Sequence, residues 1–247
     1  MSALMSMYAD RDSLPEDRIA AANWPAVEDA LGADGYAVLP GLLTSGLCNE
    51  LVDLFFQEQR FRSRVVMERY AFGRGEYKYF DYPLPDVVAR LRQALYPRLA
   101  PIANRWHAAM RIDERFPATH DEFRDVCHAA GQRRPTPLLL RYQAGDYCCL
   151  HQDLYGDHVF PFQAIFLLDE PGRDFEGGEL LLTESNPRRP GRADVVPLRQ
   201  GDAVVLAVNH RPVRSSRGVY RASLRHGVSR LHRGNRHTLG IIFHDAT

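Results

Sequence analysis

Hydrophobic and polar positions follow different periods in the two parts of the chain. Up to about residue 135, apolar side chains recur mostly at helical spacing. From residue 136 onward, short apolar runs alternate with Gly, Pro, Asp and Asn turns. The pattern predicts a helical first part and a strand-rich second part. Helices are predicted over residues 15–31, from Thr44 or Ser45 through Phe55, from Pro85 to about Met110 with a kink or break at Pro101, and over 119–130, and a strand over 35–41.

The second part contains eight predicted strands with no helix between them. That arrangement is typical of a double-sheet jelly roll, also called a double-stranded β-helix. Polar, turn-rich loops are expected at 170–177, 185–192 and 209–219. We therefore predict an α+β fold in which helices of residues 1–135 buttress a jelly-roll core of residues 136–247, the whole forming one structural domain. The strands are predicted at 137–143, 147–151, 162–169, 178–183, 193–198, 203–208, 221–228 and 237–243.

Arginine is distributed unevenly along a chain of 247 residues whose net charge is zero. Residues 1–186 carry a net charge of −9, whereas residues 187–247 carry 12 arginines and three acids, a net +9. Lys78 is the only lysine. Two interpretations stay open: an arginine-rich surface offset by acids elsewhere in the fold, or a face of residues 187–237 that contacts the phosphates of a nucleic acid.

The sequence also disfavours several classes of protein. No apolar run approaches 18 residues, so no membrane span is expected. The first ten residues lack a basic start followed by an apolar core, and no signal peptide is expected. Four cysteines do not make a disulfide framework, so a reducing, cytoplasmic setting is expected. The adjacent Cys148 and Cys149 are either small strand residues or redox-active thiols.

A histidine and a carboxylate, His151 and Asp153, stand two residues apart at the end of a predicted strand. Side chains at i and i+2 of a strand face the same side, so the two can occupy adjacent positions around a metal. Such a pair is also common on protein surfaces and proves nothing alone. A third ligand must come from a distant strand, and His226 and His210 are the candidates. Of these two, only His226 is followed ten residues later by an arginine.

Two histidines and one carboxylate on one face form the facial triad of non-haem Fe(II) oxygenases, which leaves positions open for O2 and a bidentate co-substrate. If that co-substrate is 2-oxoglutarate, its far carboxylate needs a cation, and a planar guanidinium matches it. Arg236 follows His226 by ten residues, and Thr238 faces the same side of that strand. Tyr142, on the strand before His151, can also reach the co-substrate.

These residues belong to an ordered series of short motifs. The series is RYxxG from Arg141, HxD from His151, GGE from Gly177, GD from Gly201, HGV from His226 and RxT from Arg236. Over residues 137–244 it resembles the Fe(II)/2-oxoglutarate-dependent oxygenase superfamily, specifically its prolyl-4-hydroxylase-like branch. The strand and helix that begin at Gly35 resemble the entry segment of the same proteins. Many relatives have proline where Arg230 stands, and the 73-residue gap from Asp153 to His226 is long.

The resemblance implies a ligand set and a mechanism. His151, Asp153 and His226 would bind Fe(II), and Arg236, Thr238 and Tyr142 would hold 2-oxoglutarate. Oxygen would attack the keto acid, succinate and CO2 would leave, and the oxidised iron would hydroxylate a C–H bond of the substrate. The residues of the GGE and GD motifs would be turn residues.

The substrate stays open among three classes. Alkylated nucleic acid is supported by the basic segment 187–237 and by similarity to a bacterial group thought to oxidise damaged bases. The aromatic and charged segment 74–82 is either a surface that stacks on bases or an amphipathic strand that covers the sheet. A prolyl or other protein residue is supported by the branch resemblance, and a small metabolite is the third class. Tyr155 and His158 are further candidates for substrate contact. The alternative from another functional class is a cupin-like metal-binding or sensing module without 2-oxoglutarate.

Overall fold

Two antiparallel sheets form the centre of the molecule, and helices pack against the larger one. The computed structural model describes residues 14–186, 189–216 and 218–247. The first ten residues, where no signal peptide is expected, lie outside this part of the chain. The predicted α+β jelly roll with buttressing helices is confirmed. None of the described helices is long and apolar enough to span a membrane.

The helices are α1 (Pro15–Ala21), α2 (Trp24–Asp34), α3 (Ser45–Leu54), α4 (Asp86–Ala109) and α5 (His120–Ala129), with 3-10 turns at Glu58–Arg60 and Met67–Tyr70. The strands are β1 (Tyr36–Leu39), β2 (Phe61–Val66), β3 (Gly73–Arg74), β4 (Glu76–Phe80), β5 (Leu138–Gln143), β6 (Tyr147–His151), β7 (Phe162–Leu167), β8 (Phe175–Gly177), β9 (Leu180–Asn186), β10 (Arg189–Val196), β11 (Ala203–Ala207), β12 (His210–Ser215), β13 (Gly218–Val228) and β14 (Leu231–Ile242).

The larger sheet has the strand order β1-β11-β7-β14-β5-β4-β2, with β8 paired to β14. The smaller sheet has the order β10-β9-β13-β6-β3, with β12 paired to β13. The main apolar core joins helix residues such as Leu95 and Trp106 to strand residues such as Phe162 and Phe166. The two sheets therefore enclose a cavity, and the helices pack against the larger sheet.

The single helix predicted over residues 15–31 is wrong, because the segment forms two helices. Pro25 lies in the first turn of α2, where its missing N–H costs nothing. The side-chain oxygen of Asn23 accepts a hydrogen bond from the backbone N–H of Ala26 at 3.2 Å. The chain therefore starts a new helix at Trp24 instead of continuing α1.

Of the kink or break predicted at Pro101, the break does not occur, since α4 runs continuously through Pro97 and Pro101. Its inner face buries Leu91, Leu95 and Leu99. Burial of a whole apolar face of a 24-residue helix outweighs the roughly 3 kcal/mol that an interior proline costs.

All three predicted loops contain strand residues. Segment 170–177 includes β8, and segment 209–219 includes β12, which pairs with β13 from His210 opposite Ser223 to Ser215 opposite Gly218. Because β12 buries little apolar surface, its sequence lacks the alternation by which a half-buried strand is recognised. Segment 185–192 includes the end of β9 at Asn186 and the start of β10 at Arg189, and its residues 187 and 188 lie outside the described part of the chain.

The aromatic and charged segment 74–82 contains β4, which joins the first part of the chain to the larger sheet. Tyr77 pairs opposite Leu140 of β5. Tyr77 and Tyr79 face the space between the sheets. Lys78 lies on the opposite face, 3% exposed, and its Nζ donates to the Phe55 carbonyl at 2.9 Å. The segment is thus a strand whose residues Lys78–Phe80 are buried on both faces, and its lysine is not free to contact a phosphate.

A buried ion pair ties the end of the larger sheet to the helices. Asp245 follows β14, and its Oδ1 accepts a hydrogen bond from Nη2 of Arg92 on α4 at 2.7 Å. Its Oδ2 accepts from the hydroxyl of Tyr82 and lies 2.8 Å from Nε2 of His128 on α5. Both Arg92 and Asp245 are 1% exposed. Removing one partner would leave the other charge in an apolar interior.

We expect Arg92→Met to lower the free energy of unfolding by about 3–5 kcal/mol, because Asp245 would stay buried without its cation. Arg105→Met is the matched control: Arg105 is also on α4 and pairs with Glu28 at 2.6 Å, but in solvent. Its loss should cost about 0–1 kcal/mol. Urea unfolding followed by circular dichroism measures both, and equal losses would contradict the structural role given to Arg92.

Candidate active site

The smaller sheet brings His151, Asp153 and His226 together, although Asp153 and His226 are 73 positions apart in the sequence. His226 on β13 pairs directly opposite His151, the last residue of β6. The Nε2 of His151 lies 3.6 Å from Oδ1 of Asp153, and Nε2 of His226 lies 3.3 Å from Oδ2. The three potential ligand atoms all lie within 4.8 Å of one another. The sequence-based grouping of these residues is therefore present in the structure.

Asp153 reaches this cluster from just beyond the strand. The strand β6 ends at His151, so the carboxylate lies on irregular backbone. The intervening Gln152 points to the other side and donates to the Leu224 carbonyl at 2.7 Å and to Asn209 Oδ1 at 2.9 Å. His151 and Asp153 therefore face the same side even though Asp153 lies past the end of β6, because these hydrogen bonds hold Gln152 on the opposite side.

Burial and hydrogen bonds together set the protonation states of His151 and Asp153. The Nδ1 of His151 lies 2.8 Å from the Cys149 carbonyl and donates to it, which leaves the lone pair of Nε2 facing Asp153. Burial lowers the pKa of His151, which keeps the ring neutral. Burial by itself would raise the pKa of Asp153, but the hydrogen bond and charge of His226 lower it below its usual range. Two imidazoles and an ionised carboxylate are a good donor set for a divalent metal.

His210, the rival third ligand, lies outside the cluster. It opens β12 opposite Ser223. Among the described residues, one group of His, Cys, Asp or Glu side chains lies close enough together to hold a metal ion. It consists of His151, Asp153 and His226.

A buried cation lies deeper in the same cavity. Arg236 on β14 is 2% exposed, and its Nε and Nη1 have no hydrogen-bond partner among the described residues. Its guanidinium carbon lies 5.7 Å from the ring centroid of Tyr142 and 5.9 Å from that of Phe175. Burial lowers the pKa of Arg236, since no carboxylate hydrogen-bonds to it. An unpaired buried guanidinium is costly unless an anion binds there.

Tyr142 and Thr238 lie beside Arg236, as the sequence predicted. Tyr142 pairs directly opposite Arg236, and Thr238 is two residues further along the same strand. Burial raises the pKa of Tyr142 well above its usual value, so its hydroxyl stays protonated. All three side chains line the cavity that holds the His-Asp-His cluster.

Gly178 of the GGE motif does more than make a turn. Its φ is +67°, and a Cβ built there would lie 3.0 Å from Cδ of Arg236 and 2.5 Å from Leu231. The residue is therefore a glycine both because of its backbone angle and because the Arg236 side chain occupies the adjacent space. A Cβ on Gly227 would lie 2.7 Å from the Cys148 carbonyl, so this glycine lets β13 approach β6 beside His226.

The rest of the cavity wall is mainly apolar and aromatic. The ring of Phe72 packs edge-on against His151 at 4.7 Å, and Tyr77 packs edge-on against Tyr79 at 5.5 Å. The hydroxyl of Tyr155 donates to Asp153 Oδ1 at 2.9 Å, so of the two candidates past the HxD motif this one lies in the site. The other, His158, pairs with Glu114 at 3.1 Å and does not line the cavity.

Gln163 is a further site residue, which the sequence motifs do not indicate. It lies on β7, 3% exposed, and its Nε2 is 3.1 Å from Nε2 of His226. It is the single polar residue of the strand Phe162–Leu167. A polar residue at an inward position of an otherwise apolar strand was the feature that could have identified it.

Several arginines of the basic segment 187–237 are already paired with acids. Arg211 is buried against Glu184 at 2.6 Å. Arg192 contacts Asp34 at 3.3 Å, and Arg233 contacts Glu176 at 2.8 Å. These pairs agree with the interpretation of an arginine-rich surface offset by acids elsewhere in the fold.

Similarity to known proteins agrees with this geometry. Residues 75–246 match the model of the Oxygenase-NA family, described as an oxygenase catalysing oxidative methylation of damaged DNA. An uncharacterized protein of Mycobacterium tuberculosis is 45% identical over 176 residues, which cover 71% of this chain and 76% of that protein.

Two solved structures share the fold at low sequence identity. A Pseudomonas putida prolyl-4-hydroxylase superposes with a TM-score of 0.54 at 16% identity, covering 91% of this chain and 99% of that one. A Trichoplax adhaerens prolyl hydroxylase in complex with a hypoxia inducible factor peptide fragment superposes with a TM-score of 0.52 at 12% identity, covering 90% and 89%.

The family match spans the His-Asp-His cluster and the buried arginine alike. The donor set of the cluster fits Fe(II), and the unpaired guanidinium of Arg236 fits the far carboxylate of 2-oxoglutarate. A cupin-like module has no need of that cation. The chain belongs to the Oxygenase-NA family of oxygenases, and its site fits Fe(II) and 2-oxoglutarate.

Proposed function

We propose that this oxygenase removes methyl groups from damaged nucleic-acid bases by hydroxylating them. The observation that carries the proposal is the presence, in one cavity, of the His-Asp-His cluster and of a buried arginine whose Nε and Nη1 have no hydrogen-bond partner among the described residues. The family description supports the choice of substrate.

The proposed metal ligands are His151, Asp153 and His226. Their donor atoms lie on one side of a shared space, as a facial triad requires. The hydrogen bond from His151 to the Cys149 carbonyl fixes the ring in the tautomer that ligates through Nε2.

The proposed 2-oxoglutarate ligands are Arg236, Thr238 and Tyr142. Nε and Nη1 of Arg236 would donate to the far carboxylate, and the hydroxyls of Thr238 and Tyr142 would add neutral donors. Because the pKa of Tyr142 is well above its usual value, its proton stays available as a donor.

Iron with 2-oxoglutarate bound supplies an oxidant that can hydroxylate a C–H bond, with succinate and CO2 as products of the co-substrate. The protein binds and orients both groups and keeps water away from them with apolar walls. Hydroxylation converts N–CH3 into N–CH2OH, whose C–N bond then breaks to give N–H and formaldehyde. The net result is removal of the methyl group.

The cavity wall supports a flat, unpaired base as substrate. Phe72, Tyr77 and Tyr79 offer aromatic faces and edges, on which bases stack without regard to sequence. Asp153 is the only carboxylate among the described residues that line the cavity, and it belongs to the metal cluster. A base in a duplex would have to leave the stack to enter, whereas a single strand would not. The exposed arginines of 187–237, including Arg214 and Arg225, would contact phosphates.

We further propose that the first and second parts of the chain, 1–135 and 136–247, form one structural domain. The pairing of β4 with β5 supports this. A cytoplasmic location is proposed because Cys48, Cys127, Cys148 and Cys149 are all free thiols.

Replacing a proposed metal ligand should abolish Fe(II) binding while leaving the fold intact. We expect His151→Ala and Asp153→Ala to retain no Fe(II) after anaerobic loading and desalting, since two protein ligands rarely hold the metal. His210→Ala, on the neighbouring strand, is the control and should keep one Fe(II) per chain. Normal iron content in both ligand variants would refute the cluster as the metal site.

Replacing Arg236 should affect 2-oxoglutarate and not the metal. We expect Arg236→Met to raise the Kd for 2-oxoglutarate by about 10–100-fold or more, through loss of charge-assisted hydrogen bonds. The Fe(II) content should stay unchanged. Without co-substrate, the variant should be at least as stable as the native protein, because an unpaired buried charge is gone. Anaerobic titration of the charge-transfer band and thermal unfolding measure these effects, and an unchanged Kd would refute the assignment.

The substrate class is tested by succinate release from three substrates. Single-stranded DNA with N-methylated bases should give succinate and formaldehyde in equal amounts, and methylated duplex should react more slowly because the base must be flipped. Activity should fall steeply as salt rises. A proline-containing peptide should be inert, and turnover of the peptide alone would transfer the proposal to protein hydroxylation.

A further inference from the structure

A ten-residue irregular segment connects the metal cluster to the next strand. Residues 152–161, here called the mouth loop, leave β6 after His151 and lead into β7. The loop carries both Asp153 and Tyr155. Irregular backbone holds a side chain in place only through specific contacts, so the position of Asp153 depends on what fixes this loop.

One buried side chain fixes the middle of the mouth loop. Gln132, which follows α5, is 0% exposed. Its Oε1 accepts hydrogen bonds from the backbone N–H groups of Asp157 at 3.0 Å and His158 at 2.8 Å. Its Nε2 faces the carbonyl oxygens of Tyr155 at 3.3 Å, His158 at 3.1 Å and Asp245 at 2.6 Å. A single amide thus satisfies both donors and acceptors of the loop backbone.

The backbone of the loop is shaped around this amide. Gly156 has φ +82°, and a Cβ there would lie 2.4 Å from Cδ of Gln132. A glycine is therefore required at 156 for the loop to close on Gln132. The contact joins the mouth loop, through Asp245, to the buried ion pair with Arg92.

The loop in turn places a hydroxyl on one oxygen of Asp153. Tyr155 donates to Oδ1 of Asp153 at 2.9 Å, and Tyr79 donates to the Tyr155 hydroxyl at 3.2 Å. The other oxygen, Oδ2, faces Nε2 of His226 at 3.3 Å. Each oxygen thus faces one histidine nitrogen, since Oδ1 also lies 3.6 Å from Nε2 of His151, but Oδ1 alone accepts from a hydroxyl as well. Oδ2 is therefore the oxygen left for the metal.

We propose that Gln132 is a positioning residue of the metal centre: it fixes the mouth loop so that Tyr155 holds Asp153 Oδ1 and only Oδ2 is presented to the metal. The inference rests on the proposed function in taking Asp153 as a ligand. Partners of metal-bound carboxylates and imidazoles typically change metal affinity by about 10–100-fold when lost. Gln132 does not contact Asp153 and acts on it through Tyr155.

The test is anaerobic Co(II) titration of the metal-free protein, followed by visible absorption, which needs no turnover. Tyr155→Phe removes the hydroxyl and keeps the ring, and it should weaken Co(II) binding by about 10–100-fold. Gln132→Leu keeps the side-chain volume and removes the amide, and it should weaken binding by a similar factor. The double variant should bind Co(II) no more weakly than whichever single variant binds it less tightly, because both changes break the same chain of contacts.

Gln200→Leu is the matched control. Gln200 also fixes a loop, donating to the Leu168 carbonyl at 2.8 Å, but that loop carries no residue of the metal cluster. Its replacement should lower the melting temperature without changing Co(II) affinity. If Gln132→Leu lowers only the melting temperature, its role is structural and the proposal is wrong. Full additivity in the double variant would contradict it equally.

Two further outcomes keep the inference separate from the proposed function. If Gln132→Leu does not fold, Tyr155→Phe decides alone, since native Co(II) affinity in this variant overturns the proposal. If the native protein itself binds no Co(II) at this cluster, the proposed metal site fails, and the inference fails with it.

Discussion

The pairing of β13 with β6 is the contact on which the chemistry of this protein depends. It places His226 opposite His151 although the two are 75 positions apart in the sequence. Gly227 permits this approach, since any side chain there would meet the backbone of β6. A register change of one residue would turn His226 to the outer face of the sheet and destroy the cluster. The jelly-roll topology is therefore a device for making a local cluster from distant strands.

The larger sheet supplies the second half of the site in the same way. Arg236 and Thr238 on β14 face the cavity, and the adjacent β5 and β4 add Tyr142 and the aromatic wall. A buried guanidinium destabilises the protein without co-substrate, since its Nε and Nη1 make no hydrogen bond in the described structure. Binding of a dicarboxylate at Arg236 would offset this loss of stability, because a ligand that binds only the folded state stabilises it.

Most of the site residues that lie on strands could be predicted from the sequence, whereas the contacts that fix the mouth loop could not. Periodicity located β5 and β6 closely, and the spacing from His226 to Arg236 predicted neighbours that the structure confirms. Periodicity failed where packing overrides propensity, as at Pro101 within α4, and where a strand buries little, as in β12. Gln132 had no sequence signature, because its partners are backbone groups of a loop 23 to 26 residues away. Contacts to backbone leave no trace in the residue types of the partner.

The burial of Lys78 has a consequence for the surface of the whole molecule. This lysine, the only one in the sequence, is held between the Phe55 carbonyl and Glu58 and lies 4.3 Å from the ring centroid of Phe55. Every exposed cationic side chain of the described surface, histidine aside, is therefore a guanidinium, which does not lose its proton at any physiological pH. Lysine acetylation, the common route by which cells adjust the charge of a basic surface, has no accessible side chain to act on here.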